Sequence, residues 1–351
     1  MSYMKKPVAQ HPSLQPNKLG LKLRDYEGSM STLCAGCGHD SITAAIIRAF
    51  YELDMPPHMV AKMSGIGCSS KTPTYFLGGA HGFNSAHGRM PAIATGAAAA
   101  NKEMTFIGVS GDGDSLSIGI GQMIHAIRRN LNLLYIVENN GVYGLTKGQF
   151  SASADIGSKS KKGDTNTQSP IDPVLLAMNL GASFVARSFS GDKASLVPIL
   201  KAAIRHKGFA LVDVISPCVT FNDHEGSTKS YMYTRQHQVA VTEANYVPYA
   251  PEITTEIAPG HAADVTLHDG SVVRFRKIAE DYNPRDRSLA MSYIQSVHAA
   301  KEIPVGLLYV DTSKAEMHEA AQTVDTPLNQ VAYEALCPGR DVLAKIQKGY
   351  R

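Results

Sequence analysis

The chain has 351 residues, 44% of them hydrophobic, which is enough for one large or two moderate domains with a buried core. Its formal net charge of +3 at pH 7 is small for this length and argues against a nucleic-acid partner or an anionic membrane surface. No run of about 18 apolar residues occurs, and the N-terminus lacks the apolar core of a signal peptide, so we expect a cytoplasmic protein that does not span a membrane.

Strands and helices are predicted to alternate after a polar N-terminal arm, residues 1–30. This alternation predicts an α/β fold, in which a mostly parallel sheet is covered by helices on both faces. Beyond residue 225 the pattern changes to a hairpin over 264–278, a helix and a strand, so we expect a domain over 31–225 and a C-terminal α+β extension over 226–351. In chain order, the predicted elements of the main domain are a helix over 42–53, a strand over 59–64, a helix over 92–100, a strand over 105–110, a helix over 116–129, strands over 131–137 and 184–187, a helix over 192–206 and a strand over 209–216; the extension adds a helix over 286–301 and a strand over 305–310.

Polar motifs follow two strands of one predicted strand–helix–strand unit. Asp112 lies in Gly111-Asp112-Gly113 after the first strand, and Asn140 lies in an Asn-Asn pair after the second. A right-handed crossover makes such strands parallel and places both motifs at the same sheet edge. Carboxylate and amide oxygens suit Mg²⁺, and the two glycines let a diphosphate approach the backbone near a helix N-terminus. The unit therefore predicts a Mg²⁺–diphosphate site.

Five cysteines, an odd number, do not indicate a disulfide framework in a chain this long. Cys34 and Cys37 form a C-x-x-C pair just before a helix, and Cys68 and Cys218 each follow a predicted strand. The same sheet edge can gather all four thiols. Their spacing alone is compatible with a redox dithiol, a zinc site, an iron–sulfur cluster or inert buried cysteines; the sequence Cys37-Gly38-His39 lacks the C-x-x-C-H pattern of c-type haem.

Two local predictions concern the connections between elements. Asp40 or Ser41 is the expected N-cap of the helix that follows Cys37. The segment Ser151–Ser169 is polar and has no periodicity, so we expect a lid, a partner contact or a disordered loop there. The lysines of this segment are interpreted as a solvated charge run.

The motifs as a set resemble one enzyme family. Gly-Asp-Gly followed after 25 residues by Asn-Asn is similar to the thiamine diphosphate fingerprint. The strings CAGCGH, GIGCSSK, HGR, GDGD, NNGVYGLTKGQ and SPC follow one another as in the β subunit of 2-oxoacid:ferredoxin oxidoreductases. The resemblance extends from Leu33 to about Asn222 and is closest to the 2-oxoglutarate type. It implies the thiamine diphosphate-binding fold.

By this resemblance, two metal centres are implied. Asp112 and Asn140 would give side-chain oxygens to Mg²⁺, and Val142 would give its backbone carbonyl. The four cysteines described above, Cys34, Cys37, Cys68 and Cys218, match the ligands of a 4Fe–4S cluster. Cys337 matches nothing in the family pattern, and we interpret it as structural.

The resemblance also implies contacts to the organic cofactor and substrates. His87 is similar to a thiamine-contacting residue and Lys147, in the LTKGQ string, to a residue tied to coenzyme A or substrate binding; both are candidate catalytic residues. Arg89, which follows His87 closely, can clamp a phosphate or carboxylate. The implied cofactor-binding residues are Ile66, Gly67, Cys68, Ser69, His87, Gly113, Asp114, Gly144 and Leu145.

The implied activity is the coenzyme A-dependent oxidation of 2-oxoglutarate to succinyl-coenzyme A and CO₂, with electrons passed to ferredoxin. The chain has one diphosphate-binding unit, so the resemblance implies an α subunit that completes the thiamine site in an α2β2 heterotetramer. The alternatives are the same reaction on pyruvate, branched-chain or aryl 2-oxo acids, a non-redox thiamine-dependent decarboxylase or synthase with a structural metal, and a subunit that only relays electrons.

Overall fold

The computed structural model describes residues 15–160, 162–241, 262–266, 272–276, 282–337 and 339–350. Most of the predicted N-terminal arm and the turn of the predicted hairpin lie outside these residues. The described strands are β1 Val60–Ser64, β2 His81–Asn84, β3 Thr105–Gly111, β4 Leu133–Asn139, β5 Val142–Tyr143, β6 Gln149–Phe150, β7 Phe184–Phe189, β8 Phe209–Ile215, β9 Gln238–Ala240, β10 Ala262–Thr266, β11 Val272–Arg276 and β12 Ile303–Val310. The described helices are α1 Gly38–Glu52, α2 Met90–Ala100, α3 Ile120–Arg128, α4 Pro173–Asn179, α5 Lys193–Arg205, α6 Tyr231–His237, α7 Arg287–Ala299, α8 Met317–Ala321, α9 Tyr333–Leu336 and α10 Arg340–Lys348.

An eight-stranded sheet forms the centre of the molecule, in the order β2-β1-β3-β4-β8-β7-β12-β9. The six strands from β2 to β7 run parallel, and β12 is antiparallel to β7. All residues of β4 and β8 are buried, as expected for parallel strands with helices on both faces. The predicted α/β class is confirmed. None of the described helices is long and apolar enough to cross a bilayer.

Alternate residues of β4 supply two separate cores. Leu134 and Ile136 pack with α1 and α5 on one face, whereas Leu133, Tyr135 and Val137 pack with α2, α3 and α4 on the other. This period of two fixes the register of the central strand, because a shift of one residue would exchange its two faces. The ends of β3 and β4 are therefore held in fixed positions.

Two predicted helix starts were wrong. α1 begins at Gly38 with Cys37 as its N-cap residue, so Asp40 and Ser41 already lie inside the helix. A Cβ at Gly38 would stand 2.5 Å from Ser216 Oγ, so glycine lets the helix begin against the end of β8. After β3, residues Gly113–Ile118 form a π-helical turn before α3, and π turns of this kind are frequent at functional sites.

The C-terminal part contributes to the main sheet. β12 pairs with β7 and with β9, and α7 packs on the same core as α4. β10 and β11 form the antiparallel pair predicted for the hairpin. The domain boundary at residue 225 stays a prediction.

A buried lysine gives a pH-dependent prediction for stability. Lys62 in β1 donates to the carbonyls of Phe76 and Leu77 at 2.5 and 2.8 Å, and burial lowers its pKa to about 8. The folded state therefore binds fewer protons than the unfolded state between about pH 8 and 10.5, so stability rises with pH there. The free energy of unfolding of the wild type relative to Lys62→Met is expected to rise by up to about 1.4 kcal/mol per pH unit in that window.

Chemical denaturation at several pH values measures this difference. Lys193→Met is the control, because Lys193 is exposed on α5. A flat difference for Lys62→Met would show that the amine is solvated in the folded protein.

Candidate active site at the carboxyl edge of the sheet

The tips of β3 and β4 bring Asp112 and Asn140 together. In the sheet, Gly111 is paired with Glu138, which places the two following loops side by side. The backbone N–H of Gly141 donates to Asp112 Oδ2 at 3.0 Å, and Asn140 Oδ1 accepts from the N–H of Val142 at 3.0 Å. Asp112 and Asn140 are both buried. The three residues predicted to bind Mg²⁺ are thus contiguous at one edge.

Two serines missed by the sequence analysis hold the Asp112 carboxylate. Ser151 Oγ and Ser153 Oγ both donate to Asp112 Oδ2, the latter at 2.5 Å. Oδ1 accepts no hydrogen bond from the described residues, so this oxygen is the one left for a cation. The serines begin the segment interpreted as a lid, partner contact or disordered loop; they are buried and act as an anchor. Their only signal in the sequence is a Ser-Ala-Ser string at the loop start.

The first asparagine of the pair, Asn139, has a supporting role. Its Oδ1 lies 2.9 Å from Ser153 Oγ, and its Nδ2 donates to Asp213 Oδ1 at 3.0 Å. Asp213 in turn forms an ion pair with Arg187 at 2.7 Å across β8 and β7. Asn139 therefore fixes Ser153 and, through it, the carboxylate of Asp112.

A cleft at this edge contains every predicted cofactor-binding residue. The space that it encloses within the chain is only about 50 Å³, whereas sites for small organic ligands are typically about 300–1,000 Å³. The described chain therefore forms one wall of such a site. The cleft is lined by Ile66, Gly67, Cys68, Ser69, His87, Gly111, Asp112, Gly113, Asp114, Asn140, Val142, Tyr143, Gly144, Leu145 and Thr146.

The glycines of the Gly-Asp-Gly motif are constrained by neighbouring side chains. A Cβ at Gly113 would stand 2.5 Å from the Tyr143 ring, and one at Gly111 would stand 3.0 Å from Ser69 Oγ. The Tyr143 hydroxyl also donates to the carbonyl of Gly113 at 3.0 Å. We expected glycine at these positions because a diphosphate needs room near the backbone. The structure adds a second reason, since these glycines also make room for the side chains that shape the cleft.

Asp114 is engaged by the protein on both carboxylate oxygens. Oδ1 accepts from the N–H of Gly88 at 2.8 Å and Oδ2 from Ser110 Oγ at 2.7 Å. Although Asp114 lines the cleft, its contacts assign it to holding the loop that carries His87. His87 and Arg89 are exposed, and His87 reaches the cleft wall whereas Arg89 is not part of it.

The turn of the β5–β6 hairpin borders both the cleft and two of the cysteines. A Cβ at Gly144 would stand 3.4 Å from Cys68 Sγ and 3.7 Å from Cys218 Sγ. Lys147, at the tip, is exposed with φ +79°, a left-handed conformation that costs a non-glycine residue about 1 kcal/mol. Lys147 does not line the cleft described above; it lines an adjacent cleft of about 470 Å³ together with Lys162, and Thr146 borders both.

The four cysteines predicted as cluster ligands are free thiols, and Cys34 is exposed whereas Cys37, Cys68 and Cys218 are partly buried. The N–H of Cys37 donates to the carbonyl of Cys34 at 3.0 Å, and Gly38 N–H to the carbonyl of Pro217 at 3.5 Å, which brings the C-x-x-C turn beside Cys218. Burial, with smaller contributions from Glu138, Cys218 and Cys68, raises the pKa of the Cys37 thiol to about 12. Burial also raises the pKa of Cys68, with Cys218 and Cys34 among its neighbours.

This electrostatic setting fits a polynuclear metal group. Several thiols that resist ionisation alone become thiolates when iron supplies the balancing positive charge. Among the described residues, no group of three or more His, Cys, Asp or Glu side chains is placed so that it could hold a metal ion. Cys337 is exposed and follows α9, away from the four.

Comparisons with known proteins agree with the geometry. Residues 63–214 match the family model described as "Thiamine pyrophosphate enzyme, C-terminal TPP binding domain". The chain is 44% identical to a 2-oxoacid:ferredoxin oxidoreductase subunit beta of Saccharolobus solfataricus over 59% of this chain and 67% of that protein. It is 35% identical to a 2-oxoacid:ferredoxin oxidoreductase 2, subunit beta, of Aeropyrum pernix over 77% of this chain and 88% of that protein.

Two further relatives carry 2-oxoglutarate in their names. A 2-oxoglutarate oxidoreductase subunit KorB of Mycobacterium tuberculosis is 40% identical, over 60% of this chain and 58% of that protein. The solved 2-oxoglutarate:ferredoxin oxidoreductase from Magnetococcus marinus, with 2-oxoglutarate, coenzyme A and succinyl-CoA bound, superposes with a TM-score of 0.72 at 27% identity, over 95% of this chain and 99% of that one. The predicted family is confirmed: the chain belongs to the β subunits of the 2-oxoacid:ferredoxin oxidoreductases.

Proposed function

We propose that this chain, with an α subunit, catalyses the coenzyme A-dependent oxidation of 2-oxoglutarate to succinyl-coenzyme A and CO₂ and passes the electrons through a 4Fe–4S cluster to ferredoxin. The observation that carries the proposal is the position of Gly144. This residue lines the cleft of Asp112 and Asn140 and lies against the thiols of Cys68 and Cys218. The candidate diphosphate site and two of the thiols therefore adjoin at Gly144, and Cys68 lines the cleft itself.

The donor sets suit the two groups. Asp112 Oδ1, Asn140 Oδ1 and the Val142 carbonyl would hold Mg²⁺, which needs hard oxygen ligands and bridges to phosphates. Thiamine diphosphate, when bound, supplies the electron sink that a 2-oxo acid needs in order to lose CO₂. A cluster held by Cys34, Cys37, Cys68 and Cys218 supplies a one-electron acceptor beside it.

The described residues contribute position and shielding. Ser151, Ser153 and the N–H of Gly141 fix one oxygen of Asp112, so its other oxygen keeps one direction. Asp114 anchors the loop of His87 at the cleft wall. Gly144 leaves the path between cleft and thiols free of a side chain, which keeps the distance for electron transfer short.

A separate α subunit is part of the proposal. The cleft encloses only about 50 Å³, so a second surface must close over the thiamine. Leu145 and Ile118 are about half exposed near the cleft, at 51% and 44%, and offer an apolar surface to such a partner. We propose an α2β2 assembly in which the α subunit supplies the carboxylate that activates the cofactor.

Reconstitution tests the proposed function. The chain and its α subunit are purified anaerobically, alone and together, and dye reduction is measured with coenzyme A and a panel of 2-oxo acids. Turnover on 2-oxoglutarate that requires both subunits is expected. Higher specificity for pyruvate, branched-chain or aryl 2-oxo acids would assign the enzyme a different substrate. Full turnover by this chain alone would refute the need for an α subunit.

Removal of the Ser153 hydroxyl is expected to weaken thiamine diphosphate binding about tenfold in the presence of Mg²⁺, because the Asp112 carboxylate loses an orienting donor. Isothermal titration on the α–β complex measures the change in Ser153→Ala. Ser183→Ala is the matched control, since Ser183 is also buried and hydrogen-bonded but lies on the opposite edge, beside Asn130. Equal affinities in the two variants would contradict the positioning of Asp112.

Substitution Lys147→Met is expected to raise the KM for coenzyme A about tenfold and to leave the KM for 2-oxoglutarate unchanged. The reason is that Lys147 lines the adjacent cleft with Lys162, outside the wall that faces the thiamine. Lys147→Arg keeps the charge and should recover most of the affinity. The opposite split, a higher KM for 2-oxoglutarate alone, would assign the lysine to the substrate carboxylate.

A further inference from the structure

A buried polar cluster lies beside the cysteines, and all its members except Ser69, which also lines the cleft, have no role in the scheme above. We call it the His39 cluster; it consists of His39, Ser69, Thr72, Glu138 and Ser216, each less than 9% exposed. Buried polar groups of this kind are costly unless they hydrogen-bond, and five of them in one place indicate a specific arrangement. Each member lies close in sequence to a predicted metal ligand or its loop.

His39 joins three chain segments that carry cysteines. It lies two residues after Cys37, in the first turn of α1. Its Nδ1 lies 2.6 Å from Ser216 Oγ, and Ser216 precedes Cys218 by two residues. Its Nε2 lies 3.2 Å from Ser69 Oγ, and Ser69 directly follows Cys68. The imidazole ring thus contacts residues adjacent to Cys68 and Cys218, and His39 itself lies two residues after Cys37.

Glu138 extends the same connection to the magnesium side. Its Oε2 lies 3.4 Å from His39 Nδ1 and accepts from Thr72 Oγ1 at 3.0 Å. Glu138 belongs to β4, whose end carries Asn140. Its Oε1 has no hydrogen-bond partner within the described residues.

Packing of the backbone depends on these contacts. These contacts join three distant parts of the chain: the end of β8, the start of α1 and the turn after β1. His39 and Ser216, for example, are 177 residues apart in the sequence. Gly38 lies so close to Ser216 and Ser190 that a Cβ there would stand within 2.6 Å of both hydroxyl oxygens. A hydrophobic core would pack these segments without fixing their rotation, whereas a ring with two directional contacts fixes the relative placement of the cysteine-bearing turns.

We propose that His39 is a positioning residue that presets Cys37, Cys68 and Cys218 for a 4Fe–4S cluster through its contacts with Ser69 and Ser216. The inference rests on the proposed function for the identity of the metal group, but the placement of the thiols is a property of the chain itself. His39→Leu removes both contacts, and His39→Gln keeps polar atoms that can restore part of them.

The test uses the full α–β complex and has two independent arms. In the first, the metal is removed with a chelator and the complex is reconstituted anaerobically with iron and sulfide. His39→Leu is expected to take up iron about tenfold more slowly and to give an altered electron paramagnetic resonance spectrum when reduced, because the atoms that orient ligands set metal affinity and electronic structure. His39→Gln should lie between His39→Leu and the wild type.

The second arm reads thiol placement without metal. In the chelated complex, a dithiol-bridging alkylator should link Cys68 and Cys218 efficiently in the wild type and about tenfold less in His39→Leu, by mass spectrometry. His206→Gln is the control for both arms, because His206 is partly buried and lies 2.7 Å from the hydroxyl of Ser183, at the amino-terminal end of β7.

The outcomes separate the two proposals. A wild type that takes up no iron would refute the proposed cluster, yet the bridging arm would still decide the role of His39. Unchanged iron uptake, spectrum and bridging in His39→Leu would overturn the inference. If His39→Leu does not fold, as judged by near-ultraviolet circular dichroism, the His39→Gln variant decides the question. The same resonance spectrum and the same bridging as in the wild type and in His206→Gln would overturn the proposal for His39. A change in either quantity would support it.

Discussion

Asp112→Asn is expected to weaken Mg²⁺-dependent thiamine diphosphate binding by about 100-fold or more, which corresponds to about 2.7 kcal/mol, and to abolish turnover. The substitution keeps the volume of the side chain but removes the charged oxygen that Mg²⁺ prefers. The remaining oxygen of asparagine can still accept from Ser151, Ser153 and Gly141, so the loops should stay in place. Isothermal titration and thermal unfolding of the α–β complex measure the two quantities.

Asp114→Asn provides the comparison for this prediction. Both carboxylate oxygens of Asp114 accept hydrogen bonds within the protein, one from Gly88 and one from Ser110. Asp114→Asn should therefore lower the Tm more than Asp112→Asn does, and should lower the cofactor affinity less. The reverse ranking of the two variants would show that the metal-binding carboxylate has been misassigned. If Asp112→Asn lowers the free energy of unfolding by as much as it lowers the free energy of cofactor binding, the residue acts mainly in folding.

Serine at any one of four cysteine positions is expected to remove most of the bound iron and sulfide. The substitutions are Cys34→Ser, Cys37→Ser, Cys68→Ser and Cys218→Ser. A hydroxyl is a harder and less readily ionised donor than a thiol, so it does not replace a thiolate at an iron–sulfur cluster. Iron and acid-labile sulfide per chain, measured after anaerobic purification, give the result directly.

Cys337→Ser is the matched control for the cysteine series. Cys337 is exposed and lies after α9, so this variant should keep its iron, its sulfide and its activity. Loss of iron in Cys337→Ser, or retention in the four other variants, would contradict the assignment of the ligands. Cys34 is exposed whereas the other three ligand candidates are partly buried, so Cys34→Ser is also the variant expected to change the Tm least.

Much of the active-site framework was predictable because it is local. The apolar runs before Asp112 and Asn140, separated by one helix, define parallel neighbouring strands through the right-handed crossover. That single relation places both side chains at one edge. The motif set then indicated the family, and the cofactor-binding residues that it implied line one cleft.

The remaining parts depend on contacts between residues that are distant in sequence. Ser153 reaches Asp112 across 41 residues, and His39 reaches Ser216 across 177. No spacing rule connects a serine in a polar loop, or a histidine after a C-x-x-C pair, with such partners. The start of α1 at Gly38 was missed for the same reason, since the close packing of that helix end against Ser216 is a tertiary contact that overrides local capping preferences.

We propose that one sheet edge of this chain holds a thiamine site and a redox cluster in electronic contact. The most direct test mixes the anaerobic α–β complex, loaded with Mg²⁺ and thiamine diphosphate, with 2-oxoglutarate and records the electron paramagnetic resonance spectrum of the cluster. We expect a reduced-cluster signal in the wild type and none in Asp112→Asn. A cluster that stays oxidised in the wild type while CO₂ is released, or a complex without iron, would contradict the account.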